Sequence, residues 1–334
     1  MLRLYSSNEL VFRDYLIRRE LLMKTELCDL LNIEYPIIQG AMAHITDGKF
    51  AAAVSNAGGL GVIQCGFDTP EYMREEIQTA RSLTDKPFAV NLIMENNRID
   101  EIADVCIEEG VQICTVSAGN PATIVPKLAE AGIKAIVLVP HARAAKKMEK
   151  LGAAAVICEG IEGGGHIGSM TTLPLVAQVV EAVNIPVIAA GGFANGRGLL
   201  AALALGCVGI QMGTIFLTSD ECTVSDIYKQ LIVDSKDNAT VLSGIPGKKQ
   251  VRCIKNPFTD GFWEKYYAGA SEEELNDYCT GSIARAHNGD YQNGAFSAGM
   301  ISPVITEVKP VAKIISDVME EADAAYAELK RIYG

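Results

Sequence analysis

A glycine-rich stretch, EGIEGGGHIG (159–168), is the part of the sequence best suited to acid/base chemistry. Its three consecutive glycines leave the backbone open to a ligand, and His166 follows them directly. An imidazole changes its protonation near neutral pH, so it can take up or release a proton during a reaction. A single histidine is more often structural, but the polar glycine loop around this one favours function. We therefore predict that His166 is catalytic, with His44, in a similar loop, as a weaker candidate.

Two glycine-containing turns further along the chain are suited to binding a phosphate group. The segments AAGGFANGRG (189–198) and GIQMGT (209–214) place glycines directly after an apolar run, where backbone N–H groups can hold phosphate oxygens. No lysine follows the glycines as it does in a P-loop, and the GxGxxG pattern of a dinucleotide fold is missing from the required strand–helix context. We therefore expect the phosphate of a mononucleotide.

A loop of small residues, QGAMAHITDG (39–48), admits two interpretations. It could be a tight corner of the fold that needs small side chains, or its backbone could lie against a flat ring. A phosphate at the two glycine turns, together with a ring over this loop, suggests FMN. Asn91, near the end of the apolar run PFAVNLI (87–93), would be a suitable amide partner for the ring.

Eight apolar runs must position these residues, and they begin roughly 20–30 residues apart, which is the spacing of successive βα units. Near-continuous apolar runs indicate parallel strands that are buried on both faces. The candidate residues follow many different strands rather than one switch point, so we predict an α/β protein with a (β/α)8 TIM barrel and not a doubly wound sheet. The runs are YPIIQG, LGVIQ, PFAVNLI, VQICTVSAG, KAIVLVP, AAAVICEG, PVIAAGG and VGIQMGT.

The alternating pattern stops after Thr214. Residues 217–300 are richer in polar and aromatic residues, which predicts a small, mostly helical insertion after the eighth strand that covers the barrel mouth as a substrate-binding lid. The barrel itself is expected to comprise residues 23–216 and 301–334, with 302–332 as an amphipathic helix that packs back on it. Residues 1–22 are expected to be an N-terminal extension.

Composition and charge narrow the function classes. The chain of 334 residues carries a net charge of −12, which disfavours a general binder of nucleic acids or anionic membranes. No apolar run reaches the ~20 residues of a membrane span, and the start lacks the small-residue cleavage site of a signal peptide. The nine cysteines include no CxxC pair. We therefore expect a cytoplasmic protein with reduced, buried thiols and no metal site.

Seven segments resemble the 2-nitropropane dioxygenase superfamily, in order along the chain: YPIIQGAMA, AAAVSNAGGLG, DKPFAVNL, EGIEGGGHIG, TTLPLVAQVV, IPVIAAGG and ALGCVGIQMGT. This superfamily of flavin-binding barrels contains nitronate monooxygenases and FabK-type enoyl-acyl-carrier-protein reductases, and the loop around His166 and the segment GAFSAGM (294–300) look more like the FabK type. The resemblance implies that His166 is the acid/base residue. It also implies a set of cofactor-binding residues: Ala41, Met42, Ala43, Asn91, Glu159, Gly165, Gln178, Gly191, Gly192, Gln211, Met212, Gly213 and Thr214.

The reaction implied by the resemblance is the FMN-dependent reduction of a trans-2-enoyl thioester by NADH or NADPH, as in fatty acid biosynthesis, with a proton supplied by His166. The alternative is nitronate monooxygenase, in which the same histidine would deprotonate a nitroalkane carbon and O2 would reoxidise the flavin. A third hypothesis from another class is a non-flavin phosphate-binding barrel, such as a lyase or an isomerase.

A cluster of basic residues on this acidic chain bears on the choice of partner. Lys248, Lys249, Arg252 and Lys255 gather in GKKQVRCIKN (247–256). Such a patch would attract the acidic acyl carrier protein, although an ordinary solvated loop would have the same composition. The resemblance favours carrier-protein docking. The oligomeric state stays open, with a homodimer as one expectation.

Overall fold

The computed structural model describes residues 23–66, 68–248 and 250–333, so the expected extension 1–22 lies outside the described residues. Its largest sheet has eight strands, and each forms inside one of the eight apolar runs, which confirms the strand prediction. Counting one further short strand, β7, the strands of this part of the chain are β1 (Ile37–Gln39), β2 (Gly61–Gln64), β3 (Phe88–Ile93), β4 (Ile113–Ser117), β5 (Lys134–Val139), β6 (Ala155–Glu159), β7 (Gly165–His166), β8 (Val187–Ala190) and β9 (Gly209–Met212).

The eight-stranded sheet closes into a barrel. Its strand order is β1-β9-β8-β6-β5-β4-β3-β2, and the first and last strands meet through Leu60, which directly precedes β2. The Leu60 N–H donates to the Ile37 carbonyl at 2.9 Å, and the Leu60 carbonyl accepts from the Gln39 N–H at 3.0 Å. Within this eight-stranded sheet all the strand pairs are parallel. The structure therefore confirms the (β/α)8 TIM barrel.

Helices connect the strands and cover the outside of the barrel. Local side chains cap the first turns of some of them: the Thr69 hydroxyl accepts from the Tyr72 N–H, and the Asn195 side chain accepts from the Gly198 N–H. The helices are α1 (Glu26–Leu31), α2 (Gly48–Asn56), α3 (Pro70–Leu83), α4 (Ile99–Glu108), α5 (Ile124–Glu130), α6 (Ala142–Lys150), α7 (Thr172–Val180) and α8 (Gly196–Ala204).

Side chains along each barrel strand alternate between two cores. One set packs against the helices and the other fills the barrel, as the period of two requires. Towards the N-terminal ends of the strands the inner set is apolar, and α1 closes that end with Leu27 and Leu31, which are 0% and 2% exposed. The other buried members of the inner core are Ile33, Ile38, Leu60, Val62, Ala89, Ile113, Ile136, Ala155, Ile157, Ile188 and Ala190.

The chain after β9 adds helices and one β-hairpin. The elements are α9 (Thr214–Leu217), α10 (Asp226–Val233), β10 (Thr240–Ser243), β11 (Val251–Ile254), α11 (Pro257–Tyr267), α12 (Glu272–Cys279) and α13 (Ser282–His287). The hairpin joins β7 in a second sheet of order β10-β11-β7. The sequence analysis did not predict this hairpin, because its strands have four residues each and β7 has only two.

The C-terminal segment differs from the expected single helix over 302–332. A 3₁₀ turn (Ser302–Val304) and an irregular stretch come first, and α14 (Val311–Tyr333) begins directly after Pro310, because proline is tolerated at a helix start but not inside one. The Gly196 N–H at the start of α8 donates to the Glu321 carboxylate of α14 at 2.9 Å, so α14 does pack back on the barrel. None of the helices in the described ranges is both long and apolar enough to span a membrane.

Candidate active site

Five polar side chains ring the mouth of the barrel, where its strands end. Residues adjacent to them in the strands, such as Ile63, Val90 and Cys158, pack into the outer core against the helices. The alternation along each strand therefore turns the polar residues inward, beyond the apolar layer. They are Gln64, Asn91, Ser117, Glu159 and Gln211.

Asn91 is buried at the mouth and is held by strand β4. Its side chain is 4% exposed, and its Nδ2 lies 2.9 Å from the Thr115 hydroxyl and 3.2 Å from the Ser117 hydroxyl. These hydrogen bonds fix the orientation of the amide. The structure thus brings Asn91 to the mouth, while its contact with a ring stays a prediction.

Gln64 is a mouth residue that the sequence analysis missed. It is 3% exposed, and its Nε2 donates to the Asp68 carboxylate at 2.9 Å. Among the described residues, its Oε1 is the one buried side-chain nitrogen or oxygen that has no hydrogen-bond partner. Because an unpaired buried acceptor costs about 1–3 kcal/mol, this oxygen indicates a ligand with an N–H or O–H donor. The signal available in the sequence was its place as the polar residue that ends the apolar run LGVIQ (60–64).

Glu159 ends β6 and presents a carboxyl group to the mouth. It is half-buried, and within the described part of the chain no hydrogen bond or ion pair engages its side chain. Burial raises the pKa of Glu159 to about 7, because the charged form is poorly solvated there. The carboxyl group is therefore partly protonated near neutral pH, and a protonated carboxyl group can donate a hydrogen bond.

The small-residue loop after β1 lies beside Gln211. The Gly40 N–H donates to the Met212 carbonyl at 2.8 Å, and a Cβ placed on Gly40 would lie 3.5 Å from the Gln211 side chain. Ala41, Met42 and Ala43 follow and are half-buried. The structure therefore brings this loop and Gln211 together at one side of the mouth.

The glycine turn after β8 meets the loop after β6. Gly191 and Gly192 have φ values of 86° and 89°, in the left-handed region that favours glycine. A Cβ on Gly191 would lie 2.7 Å from the Gly160 carbonyl oxygen, so a larger residue would push the two loops apart. The Thr172 hydroxyl donates to the Gly191 carbonyl at 2.8 Å and fixes the turn.

The turn after β9 forms the neighbouring part of the mouth. The Thr214 hydroxyl accepts a hydrogen bond from the Gly299 N–H at 3.0 Å. A Cβ placed on Gly213 would meet no atom within 4 Å. The backbone at Gly213 therefore borders open space, as a phosphate-binding turn requires.

His166 lies in β7, at the edge of the second sheet. It pairs with Val251 of β11, and its side chain is exposed. Gly165, which precedes it, has a φ of 75°. The preceding Gly164 lies against the backbone of Ala298, to which a Cβ on Gly164 would approach within 2.8 Å. The histidine is thus presented by a glycine loop that the insertion holds in place.

Glu162 anchors the middle of the same loop. Its carboxylate accepts from the Thr172 N–H at 2.9 and 3.1 Å, at the first turn of α7, where a negative charge is favourable. Its carbonyl accepts from the Met300 N–H at 2.9 Å. The loops after β6, β8 and β9 and the segment 296–300 therefore converge at one side of the mouth.

Two of the predicted cofactor residues do not point into the mouth. Gln178 is exposed on the outside of α7, two residues before that helix ends, so its assignment to the flavin ring is wrong: the helix turns its amide to solvent. Met212 is 1% exposed and packs in the outer core between barrel and helices. The mouth is therefore reached by the Met212 backbone and not by its side chain.

The predicted basic patch is not a continuous surface. Arg252 is only 7% exposed, so its assignment to a docking surface is wrong; burial also lowers the pKa of its guanidinium. Lys248 is exposed and forms an ion pair with Glu272, and Lys255 is exposed. Lys249 lies outside the described residues.

The arrangement fits a flavin mononucleotide in three respects. Gln64 offers an unpaired buried acceptor, the turn at Gly191 and Gly192 allows close approach of a phosphate, and the Ala41–Ala43 loop presents small, half-buried residues. No group of three or more His, Cys, Asp or Glu side chains in the described residues could hold a metal ion.

Comparison with known proteins identifies the family. A family model described as nitronate monooxygenase matches residues 24–321. The probable nitronate monooxygenase of Staphylococcus aureus strain MSSA476 is 33% identical, over 89% of this chain and 97% of the relative. That of Staphylococcus saprophyticus is 35% identical, over 77% of this chain and 84% of the relative.

Two solved structures of flavin-family enzymes resemble this chain over most of its length. FabK from Thermotoga maritima superposes with a TM-score of 0.90 at 42% identity, over 93% of this chain and 99% of that one. A nitroalkane oxidase from Streptomyces ansochromogenes superposes with a TM-score of 0.80 at 29% identity, over 91% of this chain and 99% of that one. The chain therefore belongs to the nitronate monooxygenase family and is a flavin-dependent oxidoreductase.

Proposed function

We propose that this protein reduces trans-2-enoyl thioesters with electrons from NADH or NADPH, using FMN as its cofactor. The observation that carries the proposal is the 42% identity with FabK from Thermotoga maritima over nearly the whole of both chains. The arrangement of the mouth supports it, because the glycine loop that leaves the mouth after Glu159 carries the titratable His166, and Gln64 leaves a buried acceptor for a ligand.

The residues that would hold FMN surround the mouth. Ala41, Met42 and Ala43 would lie against the ring, with Asn91, Gln64 and Glu159 as polar partners. The turns at Gly191, Gly192, Gly213 and Thr214 and the side chain of Gln211 would hold the ribityl phosphate. When bound, FMN supplies the two-electron chemistry that no protein side chain provides.

His166 would supply a proton to the α-carbon of the thioester. Its imidazole is exposed on β7, in the loop that leaves the mouth at Glu159, and this exposure supports access of a substrate to it. The pKa of about 7 at Glu159 gives the mouth a second group that exchanges protons near neutral pH. We assign the proton transfer to His166 because Glu159 lies at the end of a barrel strand, where it is suited to hold the ring.

The acyl carrier is part of the proposal. Lys248 and Lys255 are exposed on or beside the hairpin that joins β7, so an acidic carrier protein that contacts them would bring its thioester close to the loop of His166. This reduces the docking surface to fewer residues than the sequence suggested, because Arg252 is buried.

Nitronate monooxygenase is the second candidate. It is favoured by the matching family model and by the printed names of the Staphylococcus relatives, at 33% and 35% identity. On this alternative, His166 would deprotonate the acidic carbon next to the nitro group, and no nucleotide would be required. The membership in a flavin family argues against the non-flavin lyase or isomerase.

Steady-state turnover of the FMN-loaded protein separates the two candidates. NADH or NADPH consumption is measured with a crotonyl thioester, and O2 consumption is measured with an alkyl nitronate. The proposal expects thioester-dependent consumption of one or both nucleotides. Nitronate-dependent O2 uptake with no nucleotide oxidation in the presence of the thioester would contradict it and favour the monooxygenase.

A further inference from the structure

Arg252 is an unusual residue for the place it occupies. Its side chain is 7% exposed. Within the described residues no carboxylate lies in ion-pair contact with it, and the carboxylate that attracts its charge from further away is Glu162 of the glycine loop. A buried charge without an ion pair in direct contact is destabilising unless hydrogen bonds compensate. The contacts of the guanidinium therefore indicate its structural role.

The guanidinium joins the insertion to the loop that carries His166. Its Nε donates to the Ile161 carbonyl at 3.0 Å, and its Nη1 lies 3.2 Å from the hydroxyl of Thr240 in β10. Ile161 lies in the glycine loop between Glu159 and His166. One planar, charged group thus connects that loop to the far strand of the hairpin, and a guanidinium makes such two-point contacts with fixed geometry.

The Arg252 backbone is attached to the same loop. Arg252 pairs with Gly165, and the preceding residue, Val251, pairs with His166. On the other side, the Arg252 carbonyl accepts from the Ala298 N–H at 3.3 Å. The loop is therefore held at both of its ends by this one residue, through Ile161 by the side chain and through Gly165 by the backbone.

We propose that Arg252 is a positioning residue, whose buried guanidinium fixes the glycine loop so that His166 is presented to the substrate. This role rests on the proposed acid/base function of His166. It also makes the hairpin part of the active site, since Thr240 and Val251 contribute to the same support. Glycines 163–165 would otherwise leave the loop with large conformational freedom.

The test compares Arg252→Gln with Arg285→Gln in the FMN-loaded protein. Arg285 is a matched control, because its guanidinium also donates to backbone carbonyls of the insertion, those of Thr280 and Asn293, and among the described residues none of its hydrogen bonds reaches the His166 loop. Each substitution is measured alone and combined with His166→Ala. The readouts are FMN content, kcat and KM, and hydrogen–deuterium exchange of peptides that cover residues 160–168.

We expect Arg252→Gln to keep its FMN, to lose ~100-fold in kcat with a smaller change in KM, and to exchange faster at the amides of Ile161 and Ile167. Both amides are hydrogen-bonded in the structure, to Met170 and Gln250. In the His166→Ala background the same substitution should change kcat hardly at all, because its effect acts through the histidine. Arg252→Lys should have a kcat close to that of Arg252→Gln, since an ammonium cannot make both contacts.

Two outcomes would overturn the proposal: unchanged exchange over 160–168 in Arg252→Gln, or an equal loss of kcat with and without His166. If Arg252→Gln does not fold, Thr240→Val is used instead, because it removes one partner of the guanidinium. It should lower kcat and speed exchange over residues 160–168 in the same way, but by less. Guanidinium ion at millimolar concentration should partly restore kcat in Arg252→Ala but not in Arg285→Ala. Wild-type turnover in His166→Ala alone would contradict the acid/base role of His166, on which the role of Arg252 rests. The proposed reductase function fails separately, if neither NADH nor NADPH reduces the flavin of the wild type.

Discussion

The two ends of the barrel use their inward side chains differently. At the N-terminal ends of the strands, α1 places Leu27 and Leu31 against an inner core that is apolar and fully packed. At the carboxyl ends the inner side chains are polar, one buried oxygen lacks a partner, and one carboxyl group has a raised pKa. The first arrangement stabilises the fold. The second costs stability, which indicates that this end is kept for binding and chemistry.

The largest effect on stability is expected from the apolar end. Leu27→Ala should lower the free energy of unfolding by about 2–5 kcal/mol, because it removes a fully buried side chain and leaves a cavity. FMN affinity should not change. Denaturant unfolding and FMN titration measure the two effects. Leu173→Ala is the control, because Leu173 is 64% exposed; a similar loss in both variants would contradict the packing argument.

A substitution at the polar end should affect binding more. Gly191→Ala should weaken FMN binding by about 10–100-fold, since the left-handed backbone and the contact with Gly160 both oppose a side chain. Gly110→Ala is the control at the other end of the barrel: its φ is 64°, and nothing lies within 4 Å of an added Cβ. It should lose some stability and bind FMN normally. Normal FMN affinity in Gly191→Ala would exclude this turn as the phosphate site.

Glu159 should make the polar end sensitive to pH. Its pKa is raised from the ordinary 4.5 to about 7, so the folded state holds the proton more tightly than the unfolded state. The stability this provides is complete below about pH 4.5 and is lost as the pH rises through 7. Wild type should therefore lose about 2–3 kcal/mol relative to Glu159→Gln between pH 5 and 8.

Denaturant unfolding of the FMN-free protein at a series of pH values measures this difference. Glu130→Gln, which changes an exposed carboxylate at the end of α5, is the control and should leave the pH dependence as it is in wild type. If the free energy of unfolding depends on pH in the same way in wild type and Glu159→Gln, burial at the mouth does not raise the pKa of this carboxyl group.

The smallest effect is expected at the surface of the insertion. Combined Lys248→Glu and Lys255→Glu should raise KM for an acyl-carrier-protein thioester about 2–5-fold, because exposed charges contribute little each. A short thioester should be unaffected. Lys150→Glu, an exposed change at the end of α6, is the control. Equal losses with both thioesters would contradict docking at these lysines.

The sequence predicted most of the barrel and part of its mouth. Eight apolar runs define all eight barrel strands, because strands that are buried on both faces are apolar throughout. Asn91 was recognised as a polar residue inside an apolar run, whereas Glu159 was named only through the family resemblance. Gln64 is the polar last residue of β2, so a search for polar residues in every apolar run would have found it.

The errors have physical causes. Charge counting placed Arg252 on the surface, since composition does not show that a guanidinium is buried by the hairpin. Gln178 was assigned from a family motif, and the helical rotation that turns it to solvent was not considered. The hairpin itself depends on β7, and a two-residue strand inside a glycine loop leaves no periodicity to detect.

The measurement that tests the account most directly is anaerobic stopped-flow absorbance of the flavin in wild type and in His166→Ala. NADH or NADPH is mixed with the FMN-loaded protein first, and a crotonyl thioester is added afterwards. We predict that both proteins are reduced at similar rates, and that reoxidation by the thioester is ~10²–10⁴-fold slower in His166→Ala, which is the range of a general acid. Equal reoxidation rates in the two proteins would contradict the assignment of His166, and failure of both nucleotides to reduce wild type would contradict the reductase.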